Sequence, residues 1–204
     1  MASKLLQANL GHTRIAQDLF LHSLAERGAG LGVASEPYRI PADDTRWFGV
    51  PGGSVAAYWR SCQESPRPTL IEAEEFLVAV KWGALVVVAL YAPPRWTGTD
   101  YEEHLDRVAG VIRRCAPHPV VVAGDFNAKS GAWGSPVTNH RGRLTEAWAA
   151  STGLHLLNEG SVSTCVRPQG DLSLTSHGSM ALRCAQWGVG GWRRGSTLVP
   201  IICT

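Results

Sequence analysis

Residues 76–91 read FLVAVKWGALVVVALY, the longest apolar region of the chain, with Lys81 near its middle. The stretch falls short of the roughly 20 residues that a membrane-spanning helix needs, and it carries a charge at its centre. Two buried strands joined by a tight turn at Lys81-Trp82-Gly83 account for both facts. Such a hairpin commits the chain to a sheet, and the flanking segments have to be read as what surrounds it.

KLLQANL (4–10) is a short mixed run ending at Asn9, and Thr13 can cap the helix that follows, with Ile15, Leu19 and Leu24 near one face. Gly28 and Gly30 stop that helix. LGVASEPY is then a buried strand that ends at Glu36, where Pro37 forbids helical continuation. RWFGVPGGSVAAYWR has strand character broken by glycines, and SCQESPRPT (61–69) is a polar connector. After the hairpin a helix is predicted from Thr99, capped by Thr99 and Asp100, with Leu105, Val108, Val111 and Ile112 at helical spacing and its end at Pro117. VVVAGDFN (120–127) is the next strand. Leu144 to Ala150 fits a short helix before Gly153, and LHLLNEGSVSTCVRP reads as strand, turn and strand. Strands joined partly by short turns and partly by helices point to a mixed sheet core with helices outside, in the α/β (α+β) class; helices covering two packed sheets satisfy both kinds of connection.

A chain of 204 residues, 45% hydrophobic and 18% charged, suits one domain with a real core. The net charge of +2 neither requires nor opposes a polyanionic partner. The five cysteines are odd in number and contain no C-x-x-C, so free thiols are expected rather than a disulfide framework or a thiolate zinc site. MASKLLQANLGH is too weakly apolar for a secretory signal and no lipidation motif is visible, so the expectation is a nuclear or cytoplasmic chain, neither secreted nor membrane-bound.

Apolar runs here end in polar side chains: Asn9, Glu36, Tyr91, and the pair Asp125 and Asn127. Each has a plain alternative, because Asp and Asn after a strand form turns and Tyr91 can be a core aromatic with a satisfied hydroxyl. His12 and His104 read as surface residues on or beside helices, and Trp133 as a plug of its loop onto the core. Function nevertheless collects where loops leave a rigid sheet. Two carboxylates with two amides make a hard, oxygen-rich set suited to Mg²⁺ or Mn²⁺, ions that keep waters and bind phosphate oxygens.

Taken in order, Asn9 in LLQANL, Glu36 in SEPY, Tyr91 in ALYAPP, and GDFNAKSGAWGS followed by HRGRLTEAW and LLNEGSVSTCVRP resemble the endonuclease/exonuclease/phosphatase superfamily. Within it they resemble the apurinic-like endonuclease domain of retrotransposons that lack long terminal repeats. The match covers about residues 4–170. The resemblance implies a four-layer sandwich of two mixed sheets flanked by helices, with a Mg²⁺-dependent site that nicks double-stranded DNA and primes reverse transcription by a fused or associated reverse transcriptase. It implies Glu36 as metal ligand with Asn9 supporting the metal, Tyr91 at the scissile phosphate, Asp125 aiming or deprotonating the attacking water, and Asn127 holding a phosphate oxygen. Another phosphoesterase of the superfamily, acting on small substrates, and a non-catalytic DNA-binding remnant are the alternatives.

The domain so defined spans residues 1–170, and an anomalous tail, 171–204, stands where its last strands belong, so those strands are expected to be missing or altered. The family pattern continues with V-D-L-T and ends in S-D-H, but this tail reads GDLSLTSHG and later VPIICT. Asp171 is a stand-in for the first motif, and His177 is the tail's histidine in a foreign context. A displaced reading frame can supply both motifs, given a suitable choice of codons. GDLSLTSHG encoded as GGA GAC CTC TCG TTG ACC TCA CAT GGG, read two bases later, gives R-P-L-V-D-L-T-W. VPIICT encoded as GTT CCG ATC ATC TGT ACA gives S-D-H-L-Y by the same shift. The expectation is a tail translated out of frame and a nuclease impaired by it.

Overall fold

In a computed structural model, residues 4–63 and 65–157 are described in full, and 179–184 and 198–200 by their backbone. The strands are β1 (Leu5–Asn9), β2 (Leu31–Ser35), β3 (Trp47–Phe48), β4 (Val55–Trp59), β5 (Thr69–Ala73), β6 (Leu77–Trp82), β7 (Leu85–Tyr91), β8 (Val120–Asp125), β9 (Leu154–Leu156), β10 (Ser179–Cys184) and β11 (Leu198–Pro200). The helices are α1 (Arg14–Glu26), α2 (Gly98–Arg114) and α3 (His140–Thr152). One sheet has the order β11-β1-β2-β4-β3 and the other β5-β6-β7-β8-β10-β9. The backbone of β10 runs antiparallel to β8, and that of β11 parallel to β1. Asp171 and His177 lie outside the described residues.

Two crossovers set the architecture. β1 and β2 are parallel and joined through α1, and β7 and β8 are parallel and joined through α2. A parallel pair needs such a crossover, which lays its helix on one face of the sheet. The result is four layers, with α1 outside the first sheet, α2 and α3 outside the second, and the two sheets face to face. The alternation expected of strands buried on both faces is complete: Val86, Val88 and Leu90 pack toward α2, whereas Val87, Ala89 and Tyr91 enter the layer between the sheets. The hairpin β6–β7 turns at Gly83-Ala84, one residue later than the sequence reading, because Trp82 still pairs with Leu85 and Gly83 supplies the positive φ of +62° that a two-residue turn requires.

Several expectations are corrected. α1 buries Ala16, Phe20 and Leu24, while Ile15 and Leu19 are 75% and 50% exposed. The Phe20 ring lies where a Cβ on Gly32 would stand, 2.4 Å from Cζ, so the bare backbone of β2 selects that face of the helix. α2 begins earlier than predicted: Thr97, not Thr99, is the cap, and it exchanges bonds with Asp100 in a capping box. α3 begins at His140 rather than near Leu144, capped by Asn139. The connector after residue 61 gives way to an edge strand, β5, whose side chains are mostly exposed and so carry no apolar signal.

His104 is buried, not on the surface. It shares a helical face with Val108 and Val111 and lies against Trp96, with ring centroids 5.0 Å apart. Burial, reinforced by the Arg107 guanidinium and opposed by Glu74, pushes the imidazole down to about 4. The unfolded chain therefore binds a proton near the ordinary value of 6.5 while the folded chain does not. Stability is lost as pH falls through the window between those values, by about 3 kcal/mol in all. Urea unfolding of wild type and His104→Leu from neutral pH down to about pH 4 is expected to show that extra loss in the wild type alone.

Candidate active site

The layer between the sheets is apolar at depth and polar at one end, and strand periodicity makes the change. On β1 the inward residues are Leu5, Gln7 and Asn9; on β8 they are Val121, Ala123 and Asp125; on β7 they are Val87, Ala89 and Tyr91. Each strand's carboxyl end thus delivers a polar side chain into the layer that the deeper residues, Gln7 apart, fill with core. Glu36 follows β2 directly, with its N–H donated to the Ser54 carbonyl and its carbonyl accepting from His12 N–H, both at 2.8 Å.

The five residues singled out in the sequence come together. Asn9 Nδ2 donates to Asp125 Oδ2 at 2.8 Å, and Asn9 Oδ1 accepts from Gly11 N–H at 2.9 Å. Asp125, only 2% exposed, also accepts the Asn127 N–H on Oδ1 at 3.0 Å. Asn127 Nδ2 donates to the Ala92 carbonyl at 3.0 Å, and Ala92 N–H to the Asp125 carbonyl at 2.9 Å. Tyr91, level with Asp125 on the neighbouring parallel strand, donates its hydroxyl to Glu36 Oε1. Burial first, and then the Glu36 carboxylate, hold the Tyr91 phenol far above its ordinary value, so it remains a protonated donor. The bonds of Asn9 run to Asp125 and Gly11, those of Glu36 to Tyr91.

Backbone strain collects at the same place. Among the described residues, the non-glycine residues with left-handed φ are His12 (55°), Glu36 (49°) and Asn127 (46°), and all three sit at this mouth. Such conformations persist only where surrounding structure over-determines them. His12, exposed as the sequence suggested, has Nε2 3.8 Å from Glu36 Oε1 and Nδ1 3.2 Å from the Pro37 carbonyl.

Sequence reading missed the side chains that hold these loops. Gln17 grips the backbone of Arg39, beyond Glu36, through its carbonyl (3.0 Å) and its N–H (3.1 Å). Arg141 Nη2 donates to the carbonyls of Pro93, Pro94 and Trp96, tying down the loop after Tyr91, and its guanidinium lies over the Tyr101 ring. Asn139 Oδ1 accepts from Lys129 N–H and Gly142 N–H, closing the loop after Asn127. Arg141 lies in the quoted HRGRL, which is the one sequence signal that marked it. Trp133 plugs its loop as expected, donating its indole N–H to the Ala128 carbonyl.

The donor set is all oxygen and amide, the chemistry of a hard cation. Among the described residues no group of three or more His, Cys, Asp or Glu is placed to hold a metal ion. Mg²⁺ is served by one or two carboxylates with waters and substrate oxygens, so the set fits it. No helix among the described residues is long and apolar enough to cross a membrane.

Residues 85–189, just over half of the chain, match the family described as endonuclease-reverse transcriptase. The chain belongs to the endonuclease-reverse transcriptase family. That family of hydrolytic nucleases lies in the endonuclease/exonuclease/phosphatase superfamily, as the quoted motifs implied. Solved structures share the fold of this family member. The endonuclease domain of TRAS1, a telomere-specific non-LTR retrotransposon, is 23% identical with a TM-score of 0.70, over 89% of this chain and 84% of that one. An AP endonuclease from Archaeoglobus fulgidus is 13% identical with a TM-score of 0.66, over 90% and 86%. A 3′-5′ exonuclease from Neisseria meningitidis is 15% identical with a TM-score of 0.63, over 88% and 86%. No curated protein sequence is significantly similar to the chain.

Proposed function

We propose that the chain derives from the DNA endonuclease of a non-LTR retrotransposon. With Mg²⁺ or Mn²⁺ it nicks one strand of double-stranded DNA, leaving a 3′ hydroxyl that a fused or associated reverse transcriptase extends. The observation that carries this reading is the convergence of Asn9, Glu36, Tyr91, Asp125 and Asn127 at one mouth of the sandwich. The family match, and the retrotransposon endonuclease domain among the similar structures, support it.

Hydrolysis bonds a water oxygen to phosphorus, breaks the P–O3′ bond and leaves the departing O3′ protonated. Glu36, with Asn9 at the end of the neighbouring parallel strand, is the set that would hold the divalent ion, which would supply Lewis-acid stabilisation of the charge on the phosphate oxygens. Asp125, with Asn9 Nδ2 on one oxygen and the Asn127 N–H on the other, is the carboxylate that would aim the water and accept its proton. Asn127 has a second amide hydrogen for a phosphate oxygen. The Tyr91 hydroxyl turns from Glu36 to the phosphate when DNA arrives. The test is a supercoiled-plasmid nicking assay with Mg²⁺, run beside soluble phosphoesters. Nicking that stops with EDTA and with loss of the Asp125 carboxylate supports the reading. Phosphoester turnover with intact plasmid selects a small-substrate phosphoesterase, and plasmid bound but never nicked selects a DNA-binding remnant.

The tail, 171–204, belongs to this proposal as an out-of-frame translation of the domain's end that impairs the activity. Its support is that codons exist for this tail with which one two-base displacement spells both V-D-L-T and S-D-H. Sequencing the gene across codons 160–204 is expected to spell both motifs in the displaced frame; DNA that spells neither overturns this part.

A further inference from the structure

We infer that Gln7 is a positioning residue that locks the two sheets in register at the site, an inference that rests on reading Asn9 and Asp125 as working parts. Gln7 lies on β1 between the sheets and is 5% exposed, in a layer otherwise filled by side chains such as Leu5, Val33, Val87 and Val121. Its amide bonds across that layer to a single residue of β8. Nε2 donates to the Gly124 carbonyl at 2.8 Å, and Oε1 accepts the Gly124 N–H at 3.0 Å.

Apolar contact between two sheets sets their spacing but is non-directional, so it resists sliding only weakly. A two-point bond is directional in both axes of the sheet plane. Its place also matters, because the next inward residue of β1 is Asn9 and the next residue of β8 is Asp125, the pair that meets at 2.8 Å. A slide of about one ångström would stretch that contact beyond hydrogen-bond range. Gln7 therefore fixes the distance between the half of the site carried by the first sheet and the half carried by the second.

The test uses the whole chain and Gln7→Met, which keeps the length of the side chain and removes both bonds. The first readout is the Asn9 side-chain amide resonance in ¹H–¹⁵N spectra; the second is the plasmid-nicking rate beside DNA affinity. Expected are a dispersed, folded spectrum, a shifted and broadened Asn9 resonance, a nicking rate lower by roughly tenfold or more, and DNA affinity within about twofold. Val33→Ala, in the same layer but making no cross-sheet hydrogen bond, is expected to lower stability without moving the Asn9 resonance. An Asn9 resonance unmoved in Gln7→Met, or moved equally by Val33→Ala, overturns the inference. Should Gln7→Met not fold, Gln7→Glu, which keeps the acceptor and loses the donor, is read in the same way. If wild type does not nick at all, the functional proposal fails, while the Asn9 resonance still decides the role of Gln7.

Discussion

Asp125→Asn is expected to lower plasmid nicking on the order of a thousandfold while leaving DNA affinity nearly unchanged. The substitution keeps shape and volume but removes the charge and one acceptor. In the native site both oxygens of Asp125 face donors, Asn9 Nδ2 on one side and the Asn127 N–H on the other. An asparagine can accept on one side only, so its own amide confronts a donor on the other. Flipping Asn9 does not solve this, because its Oδ1 is already held by the Gly11 N–H. One of these two hydrogen bonds is lost in any arrangement, at about 1–3 kcal/mol, which a domain of this size survives. Catalysis fares worse, since an amide neither takes a proton from water nor carries the charge that orients it. Rates read at saturating DNA isolate this effect, and a loss of less than about tenfold would remove Asp125 from the chemistry.

The inter-sheet positions of Asn9, Tyr91 and Asp125 were legible because a period of two is rigid. Once Val87 and Ala89 are core, Tyr91 must enter the same layer, and the same holds for Asp125 after Val121 and Ala123. Glu36 was legible by its neighbour Pro37, though not its left-handed φ, which depends on bonds to Ser54 and His12 from other segments. Helix faces were less legible. α1 carries apolar residues on more than one face, and the choice of Phe20 over Leu19 was made by Gly32 on a different strand. Gln7, Gln17, Asn139 and Arg141 escaped because an amide or guanidinium that grips distant backbone has no periodic signature. Their partners lie 117, 22, 10 and up to 48 residues away.

The largest effect on folding is expected from Gly124→Ala. Gly124 has φ of +151°, and a Cβ there would stand 1.9 Å from the Leu90 carbonyl oxygen on β7. That oxygen is backbone within a parallel pair, flanked by Ala89–Ala123 and Tyr91–Asp125, so it cannot swing aside as a side-chain tip could. Relief has to come from parting β7 and β8 or from turning the Gly124 peptide, and the second route breaks both bonds to Gln7. Either costs on the order of 4 kcal/mol, against a total stability of about 5–15 kcal/mol for a single domain. Thermal unfolding should show a midpoint lower by roughly 10 °C. What separates this variant from an ordinary core defect is where the damage falls. The strand pair being parted ends in Tyr91 and Asp125, so nicking should fail at temperatures where the chain is still folded. A midpoint within about 2 °C of wild type would mean that the close approach of Gly124 to Leu90 is not what fixes the G-D-F-N strand against its neighbour.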